Sequence, residues 1–193
     1  MLECGSSAMT IKKKNILVTG IPGSGKTTLL DRAAEALKAF HPAGFITSEI
    51  RERGIRKGFE LRGLDGQKGL LAHTDIRSPF RVGKYRVDVA GFESFLMALS
   101  LSGPATGLVI IDEIGKMEGL SGLFRHLLLQ TFNSERIVLA SIALKGGGFI
   151  DEIKRRGDVR LIEIDENHRN ALTEEVIGEI RELVVQRKMK TLA

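Results

Sequence analysis

The segment GIPGSGKT, from Gly20 to Thr27, restricts the possible folds of this chain more than any other feature of its sequence. It fits the pattern G-x-x-x-x-G-K-[ST], and it lies between a β-prone run, Asn15 to Thr19, and a segment with helical spacing that continues to Phe40. Glycines allow successive backbone N–H groups to turn toward one point, and the helix that follows adds its positive end. The segment therefore predicts a strand, a phosphate-binding loop and a helix in succession.

The pattern, known as the Walker A motif, assigns separate roles within the loop. Lys26 is expected to bring its charge to the β- and γ-phosphates of a nucleotide during catalysis, and Thr27 to offer its hydroxyl to Mg²⁺. The residues expected to bind the nucleotide here are Gly20, Ile21, Pro22, Gly23, Ser24, Gly25, Lys26, Thr27 and Thr28.

A second feature, VIIDEIG from Val109 to Gly115, places two adjacent carboxylates at the end of an apolar run. Two adjacent carboxylates at such a position lose hydration and repel each other, which is costly unless a cation compensates them. Alternatively, the pair could mark only the point where a buried strand reaches solvent and a turn begins. With the phosphate loop present, Asp112 is expected to hold Mg²⁺ together with Thr27. Glu113 is expected to orient or deprotonate the attacking water, or else to act only as a hydrogen-bond acceptor. Gly115 completes a D-x-x-G pattern and is expected at the nucleotide.

The rest of the chain alternates between strand and helix patterns. Apolar runs at Gly107–Ile111, Arg136–Ile142 and Val159–Ile164 predict buried strands. Helices are predicted at about Phe92–Ser100, Leu120–Thr131, Phe149–Arg156 and Ala171–Lys188, and a further strand at Tyr85–Val89. The segment Gly44–Ala72 has short alternating runs broken by glycines, which is typical of antiparallel strands. We therefore expect a flexible tail at residues 1–14 and one α/β domain at residues 15–193, with a three-layer, mainly parallel sheet and an antiparallel β insert.

Four stretches beyond the loop give the chain a family resemblance: GFITSEIRERGIRKGF (Gly44–Phe59), VGKYRVDV (Val82–Val89), IIDEIGKME (Ile110–Glu118) and FIDEIKRRGDV (Phe149–Val159). With them, the chain resembles the small P-loop enzymes called cancer-related nucleoside-triphosphatases, which occur in prokaryotes and animals. The resemblance implies a RecA-like sheet and Mg²⁺-dependent hydrolysis of ATP, GTP, CTP and UTP, with loose base preference. At Asn167-His168-Arg169 the chain departs from the family, where Asn and Arg tend to be adjacent.

Several side chains have more than one interpretation. Arg155 or Arg156 could act as an internal arginine finger opposite the γ-phosphate, or could belong to a solvated helix face. Ser141 could contact the γ-phosphate or could fill the core. Five polar residues alternate along the insert, and their common face could border the active site or only solvent: Thr47, Glu49, Arg51, Arg53 and Arg56.

Other functions share parts of this pattern. A nucleotide or small-molecule kinase would use the insert as an acceptor site, and a GTP-dependent switch would use D-x-x-G, although the chain lacks N-K-x-D. A net charge of +5 with one tyrosine and no tryptophan argues against nucleic-acid binding. With one cysteine and no apolar run long enough for a membrane span, the sequence predicts a cytoplasmic enzyme without membrane partners. The sequence does not specify an oligomeric state.

Overall fold

The computed structural model of the chain describes residues 13–99, 101 and 107–192. Of the predicted N-terminal tail, residues 1–12 lie outside this described part, and Lys13 and Lys14 precede the first strand. The strands of the described part are β1 (Asn15–Thr19), β2 (Ala43–Glu52), β3 (Ile55–Gly63), β4 (Lys68–His73), β5 (Arg81–Val82), β6 (Tyr85–Val87), β7 (Leu108–Ile114), β8 (Ile137–Ile142) and β9 (Val159–Glu163).

Within the described residues, four α-helices lie between strands, and a fifth follows β9. They are α1 (Lys26–Ala36), α2 (Val89–Ala98), α3 (Gly122–Asn133), α4 (Phe149–Lys154) and α5 (Arg169–Leu192). Short 3₁₀ turns at Lys38–Phe40 and Glu118–Leu120 follow α1 and precede α3. Ser121 caps α3, since its hydroxyl accepts a hydrogen bond from the backbone N–H of Phe124 at 2.9 Å.

One sheet runs through the molecule in the order β5-β6-β4-β3-β2-β7-β8-β1-β9. Five neighbouring strands of the described part pair in parallel, namely β2, β7, β8, β1 and β9. Their carboxyl ends, and the loops that follow, therefore meet at one edge. Along β1, Leu17 packs in one apolar cluster while Ile16 and Val18 pack in another, as expected when successive side chains point to opposite faces. Two cores on the two faces of a central sheet make three layers, which confirms the predicted fold class.

The predicted antiparallel insert is a continuation of the same sheet. Only the beginning of β2 pairs with β7, and the remainder leaves the parallel part and pairs with β3 in antiparallel fashion. Gly44 permits the close approach at that junction. Its φ is +132°, and a Cβ there would lie 1.8 Å from the carbonyl oxygen of Ile110. The long strand β2 therefore carries insert residues past the carboxyl edge of the parallel strands.

The predicted elements are present, with bounds that differ by a few residues. The largest differences are at α1, which ends at Ala36 instead of Phe40, and at α5, which continues to Leu192 instead of Lys188. Strand β7 continues to Ile114 and so includes both acidic residues. The predicted end of the second helix, Ser100, lies outside the described residues. Within the described part, no helix is long and apolar enough to cross a membrane.

Candidate active site

The predicted phosphate loop connects β1 to α1 and is shaped by its glycines. Gly25 caps α1 with φ +104°, a conformation that residues with a Cβ adopt rarely. The backbone N–H of Ser24 donates to the carbonyl of Ile21 at 3.2 Å, which tightens the turn. Lys26 folds back over the loop and donates from Nζ to the carbonyl oxygens of Gly20 (2.9 Å) and Ile21 (3.0 Å). The ammonium group therefore lies over the loop, and within the described part of the chain its hydrogen bonds go to backbone oxygens.

A cavity of about 890 Å³ opens at this loop. Its walls contain most of the loop residues predicted to bind nucleotide, namely Gly20, Pro22, Gly23, Gly25, Lys26, Thr27 and Thr28. Ile21 and Ser24 are not part of these walls: the side chain of Ile21 is 57% exposed, and Ser24 is fully buried beneath the loop. Any contribution of these two residues to a phosphate site would come from their backbone.

Asp112 lies opposite the loop in β7 and is only 3% exposed. Its Oδ2 accepts a hydrogen bond from the Thr27 hydroxyl at 2.7 Å, and its Oδ1 accepts one from the hydroxyl of Ser141 in β8. Burial raises the pKa of Asp112, and the hydrogen bonds from Ser141 and Thr27 oppose that shift. Ser141 thus contacts Asp112 in this structure, one of several ways in which the buried carboxyl is satisfied.

Glu113 is the next residue and lines the same cavity. Burial raises the pKa of its carboxyl, the neighbouring Asp112 raises it further, and Lys26 opposes both effects. A carboxylate with a raised pKa is a better proton acceptor at neutral pH than an ordinary surface glutamate. Glu113 therefore combines a place on the cavity wall with a raised pKa, and its role as a general base stays a prediction.

Behind Glu113 lies Glu118, a second buried acid that the sequence reasoning missed. Burial raises its pKa to about 8, and the charge of Glu113 contributes to that shift. Gly115 separates the two acids, since a Cβ at Gly115 would lie 2.8 Å from Oε2 of Glu118 and 3.5 Å from Cδ of Glu113. Gly115 is not among the residues that line the cavity, and its contact with the nucleotide stays a prediction. The signal available in the sequence was a third carboxylate within IIDEIGKME.

The insert forms the far wall of the cavity. Of its five alternating polar residues, three line the cavity, whereas Arg51 and Arg53 do not and are exposed. The contributing residues are Thr47, Ser48, Glu49, Arg56 and Phe59. Arg56 pairs with Glu49 at 2.5 Å, donates from Nε to the hydroxyl of Tyr85 at 2.9 Å, and lies 5.3 Å from the ring centre of Phe59. Hydrogen bonding to Arg56 lowers the pKa of Glu49. Thr47 donates its hydroxyl to the backbone carbonyl of Asp112, which joins the insert to β7.

Arg156, one of the two arginines predicted as a finger, is not among the residues that line the cavity. Arg156 pairs with Asp158 at 2.9 and 3.0 Å and lies 5.1 Å from the ring centre of Phe132. Asp158 precedes β9 and accepts from the backbone N–H of Asn15 at the start of β1, which is the amino edge of the sheet. Because β1 has 5 residues, this edge is roughly 15 Å from the phosphate loop.

Arg155, the other arginine predicted as a finger, also does not line the cavity. It caps the C-terminal end of α4, next to Arg156, and its Nε donates to the carbonyl of Asp151 at 3.1 Å. Helix α4 runs from the carboxyl edge back toward the amino edge, so its last turn faces away from the phosphate loop. The part of this connection that does reach the cavity is its beginning, Ala143 to Lys145, which the sequence analysis did not single out.

The departure at Asn167-His168-Arg169 lies beside the phosphate loop. A Cβ at Gly25 would lie 3.3 Å from Cδ of Arg169, so this arginine packs against the start of α1. His168 points to Asp165, with Nδ1 3.0 Å from Oδ2, and this contact lowers the pKa of Asp165. The segment thus borders the end of the phosphate loop at which α1 begins.

The phosphate loop, the buried acid bonded to Thr27 and the three-layer sheet define a P-loop nucleoside-triphosphatase fold. The family model described as NTPase matches residues 15–177 of the chain. The chain therefore belongs to the NTPase family.

Individual relatives agree with this assignment. A nucleoside-triphosphatase THEP1 of Thermotoga sp. (strain RQ2) is 43% identical over 167 residues, which cover 86% of this chain and 95% of the relative. The crystal structure of THEP1 from the hyperthermophile Aquifex aeolicus has a TM-score of 0.78 and 32% identity, with 86% of this chain and 98% of that chain covered. The solution structure of a human cancer-related nucleoside triphosphatase has a TM-score of 0.74 and 34% identity, with 88% and 98% covered.

Proposed function

We propose that the protein hydrolyses nucleoside triphosphates to the diphosphate and phosphate in a Mg²⁺-dependent reaction. The observation that carries this proposal is the 2.7 Å hydrogen bond from the Thr27 hydroxyl to Asp112, which joins the phosphate loop to a buried carboxylate. Glu113 lies beside that pair in the same cavity. The similar protein of Thermotoga is named a nucleoside-triphosphatase, which supports the same reaction.

The chemistry of the site suits Mg²⁺. Asp112 and Thr27 present a carboxylate and a hydroxyl at one point, and Mg²⁺ prefers oxygen donors, of which one or two carboxylates with phosphates and waters suffice. Within residues 13–99, 101 and 107–192, no group of three or more His, Cys, Asp or Glu residues could hold a metal ion without such outside ligands. When bound, the ion neutralises negative charge on the β- and γ-phosphate oxygens.

The phosphate loop and Lys26 bind and orient the triphosphate. The N-terminal N–H groups of α1 point toward the loop, and Lys26 exchanges its bonds to the carbonyls of Gly20 and Ile21 for bonds to the phosphate oxygens. An ammonium group that leaves two neutral carbonyls for anionic oxygens gains a stronger, charge-assisted interaction. This fixes the γ-phosphate near Glu113.

Glu113 then supplies the proton transfer. Its carboxylate takes a proton from water as the water oxygen forms a bond to the γ-phosphorus, and the bond from that phosphorus to the β,γ-bridging oxygen breaks. The diphosphate leaves with the electron pair of the broken bond. Thr47 holds the backbone carbonyl of Asp112, and so keeps the acidic end of β7 in place beside the insert.

Base selectivity is proposed to be weak, with ATP, GTP, CTP and UTP all accepted. The contacts that the structure specifies in most detail, those of Lys26, Thr27 and Asp112, concern the phosphates and the metal. We also propose a cytoplasmic location, which the single cysteine in the sequence supports.

The test is phosphate release from each of the four ribonucleotides, with Mg²⁺ and with excess chelator. We expect release from all four only with the metal, and values of kcat/KM that agree within about a hundredfold. The matched control is Lys26→Ala, which should lose triphosphate affinity and turnover together. Release that continues in chelator, or undiminished hydrolysis by a folded Lys26→Ala variant, would contradict the proposal.

A further inference from the structure

The loop that connects β8 to α4 occupies a position over the centre of the site. In the sheet, β8 lies between β7, which carries Asp112 and Glu113, and β1, which leads into the phosphate loop. All three strands are parallel, so the chain leaves β8 at the same edge and between those two groups. A phosphate chain that extends from Lys26 toward Glu113 must therefore pass over the end of β8.

Lys145 lies in that loop and lines the cavity. The backbone before it is fixed, because Ala143 donates to the carbonyl of Ile114 at 3.1 Å and Leu144 accepts from Nζ of Lys154 at 2.9 Å. The residue after it, Gly146, packs so closely on α4 that a Cβ there would lie 2.6 Å from Cδ1 of Ile150. The backbone of Lys145 is thus held on both sides, at a position on the cavity wall from which its exposed side chain can extend over the site.

In the part of the chain that the structure describes, three cationic residues line the cavity: Lys26, Arg56 and Lys145. Arg56 shares the carboxylate of Glu49 with Arg51 and donates to the hydroxyl of Tyr85, so its guanidinium is held at the insert wall. Lys26 is the cation of the phosphate loop. Among the described residues, the ammonium of Lys145 has no hydrogen-bond or ion-pair partner. During transfer, negative charge spreads over the equatorial oxygens of the γ-phosphoryl group, and a cation on that side lowers the barrier. Arg155 and Arg156 lie toward the amino edge of the sheet, too far from the phosphate loop to supply this cation.

We propose that Lys145 is the second cation of the active site and contacts the γ-phosphate of the bound triphosphate, opposite Lys26. This inference rests on the proposed hydrolytic function. The role differs from that of Lys26, which serves the β- and γ-phosphates together. A side chain that contacts only the γ-phosphate distinguishes a triphosphate from a diphosphate. Its stabilising effect is greatest when negative charge develops on the γ-phosphate.

The experiment compares Lys145→Ala and Lys145→Arg with wild type, and uses Lys38→Ala as the matched control. Lys38 is an exposed lysine of the 3₁₀ turn after α1 and pairs with Glu35 at 3.6 Å, away from the cavity. Calorimetry measures the affinity of Mg²⁺-ADP and of Mg²⁺ with the non-hydrolysable analogue β,γ-imido-ATP, and phosphate release gives kcat. Circular dichroism verifies that each variant is folded.

For Lys145→Ala we expect kcat to fall by roughly a hundredfold, as on removal of one donor to a developing oxyanion, with partial recovery in Lys145→Arg. The affinity for the imido analogue should fall while that for ADP stays within about twofold, and Lys38→Ala should match wild type in every measurement. A kcat for Lys145→Ala within fivefold of wild type, or an equal loss of affinity for both nucleotides, would overturn the proposal. If wild type itself releases no phosphate, the hydrolytic function fails, and the two affinities still decide whether Lys145 contacts the γ-phosphate.

Discussion

Asp112 and Glu113 are adjacent in the chain, yet their carboxyl groups have different surroundings. Asp112 is buried and accepts hydrogen bonds from two hydroxyls, which suits a carboxylate that stays in place and holds a metal ion. Glu113 faces the cavity, and its pKa is raised by burial and by the charge of Asp112. In the proposed reaction, Asp112 would therefore be the fixed metal ligand and Glu113 the group that accepts a proton.

This difference predicts that Glu113→Gln separates binding from chemistry. The amide keeps the size of the side chain but cannot accept a proton, so hydrolysis should fall by roughly two to four orders of magnitude while Mg²⁺-triphosphate binds about as tightly as before. Asp112→Asn should lose mainly the metal-dependent affinity. Single-turnover hydrolysis beside equilibrium binding measures both effects. A Glu113→Gln enzyme that turns over within a few-fold of wild type would leave Glu113 as a hydrogen-bond acceptor only.

Glu118 predicts a pH dependence of stability. Its pKa is 4.5 in the unfolded chain and about 8 when folded, so between these values the folded state holds a proton that the unfolded state releases. Stability attributable to this group is therefore highest below about pH 4.5, declines as pH rises, and is lost above about pH 8. In Glu118→Gln this contribution should be absent.

Urea denaturation of wild type and Glu118→Gln at about pH 5.5 and about pH 8.5 measures the effect. On raising the pH, wild type should lose more free energy of unfolding than the variant does, because other titrating groups are common to both proteins. An identical pH dependence of the two proteins would mean that Glu118 is not protonated in the folded state.

Among the secondary-structure elements, β2 connects the parallel part of the sheet to the antiparallel insert. Its first residues pair in parallel with β7, and its later residues carry Thr47 and Glu49 to the far wall of the cavity. The close approach of the two strands depends on Gly44, whose absent side chain leaves room for the carbonyl of Ile110. The placement of the insert relative to Asp112 is therefore decided at this junction.

Gly44→Ala should destabilise the protein by about 3 kcal/mol or more, because the new Cβ both clashes with the backbone of β7 and adopts a disfavoured φ. Gly119→Ala is the matched control, since a Cβ at Gly119 meets no atom within 4 Å. Chemical denaturation of both variants gives the two free energies. Equal, small losses would show that β2 and β7 can separate at this point at little cost.

At the scale of the whole molecule, one sheet connects the parallel strands to the antiparallel insert, and apolar clusters cover its two faces. The cluster that includes Phe45 extends from the insert, at Leu61 and Leu71, to the strands of the nucleotide site at Val138 and Ala140. Shared burial of this kind couples the unfolding of the two regions. The predicted single domain, residues 15–193, should then behave as one thermodynamic unit.

We therefore expect a single thermal unfolding transition that Mg²⁺ with β,γ-imido-ATP shifts upward as a whole. At roughly a hundred times its Kd, a ligand adds about 2.7 kcal/mol to the free energy of unfolding. For a chain of this size, that corresponds to a rise in Tm of roughly 5 to 10 °C. Scanning calorimetry of wild type and Asp112→Asn measures the transition, and the variant should lose the metal-dependent part. Two separate transitions, of which only one responds to the nucleotide, would show that the insert is an independent domain.

The sequence by itself determined the phosphate loop, the strand that carries Asp112 and Glu113, and the alternation of strands and helices. These features are encoded locally: glycines that permit a tight loop, an apolar run that must be buried, and side-chain periodicity are all properties of short segments. The same local reasoning also proposed Arg155 and Arg156, because they lie in the segment between the last two strands and could supply positive charge opposite the γ-phosphate.

Only the tertiary structure decided which side chains share the cavity. Lys145, Glu49 and Arg56 line it, whereas Arg156 lies at the opposite edge. The physical reason is the order of strands in the sheet: β8 lies between β7 and β1, and the direction of α4 carries its last turn away from the carboxyl edge. Strand order depends on packing between segments distant in the chain, so no single segment encodes it.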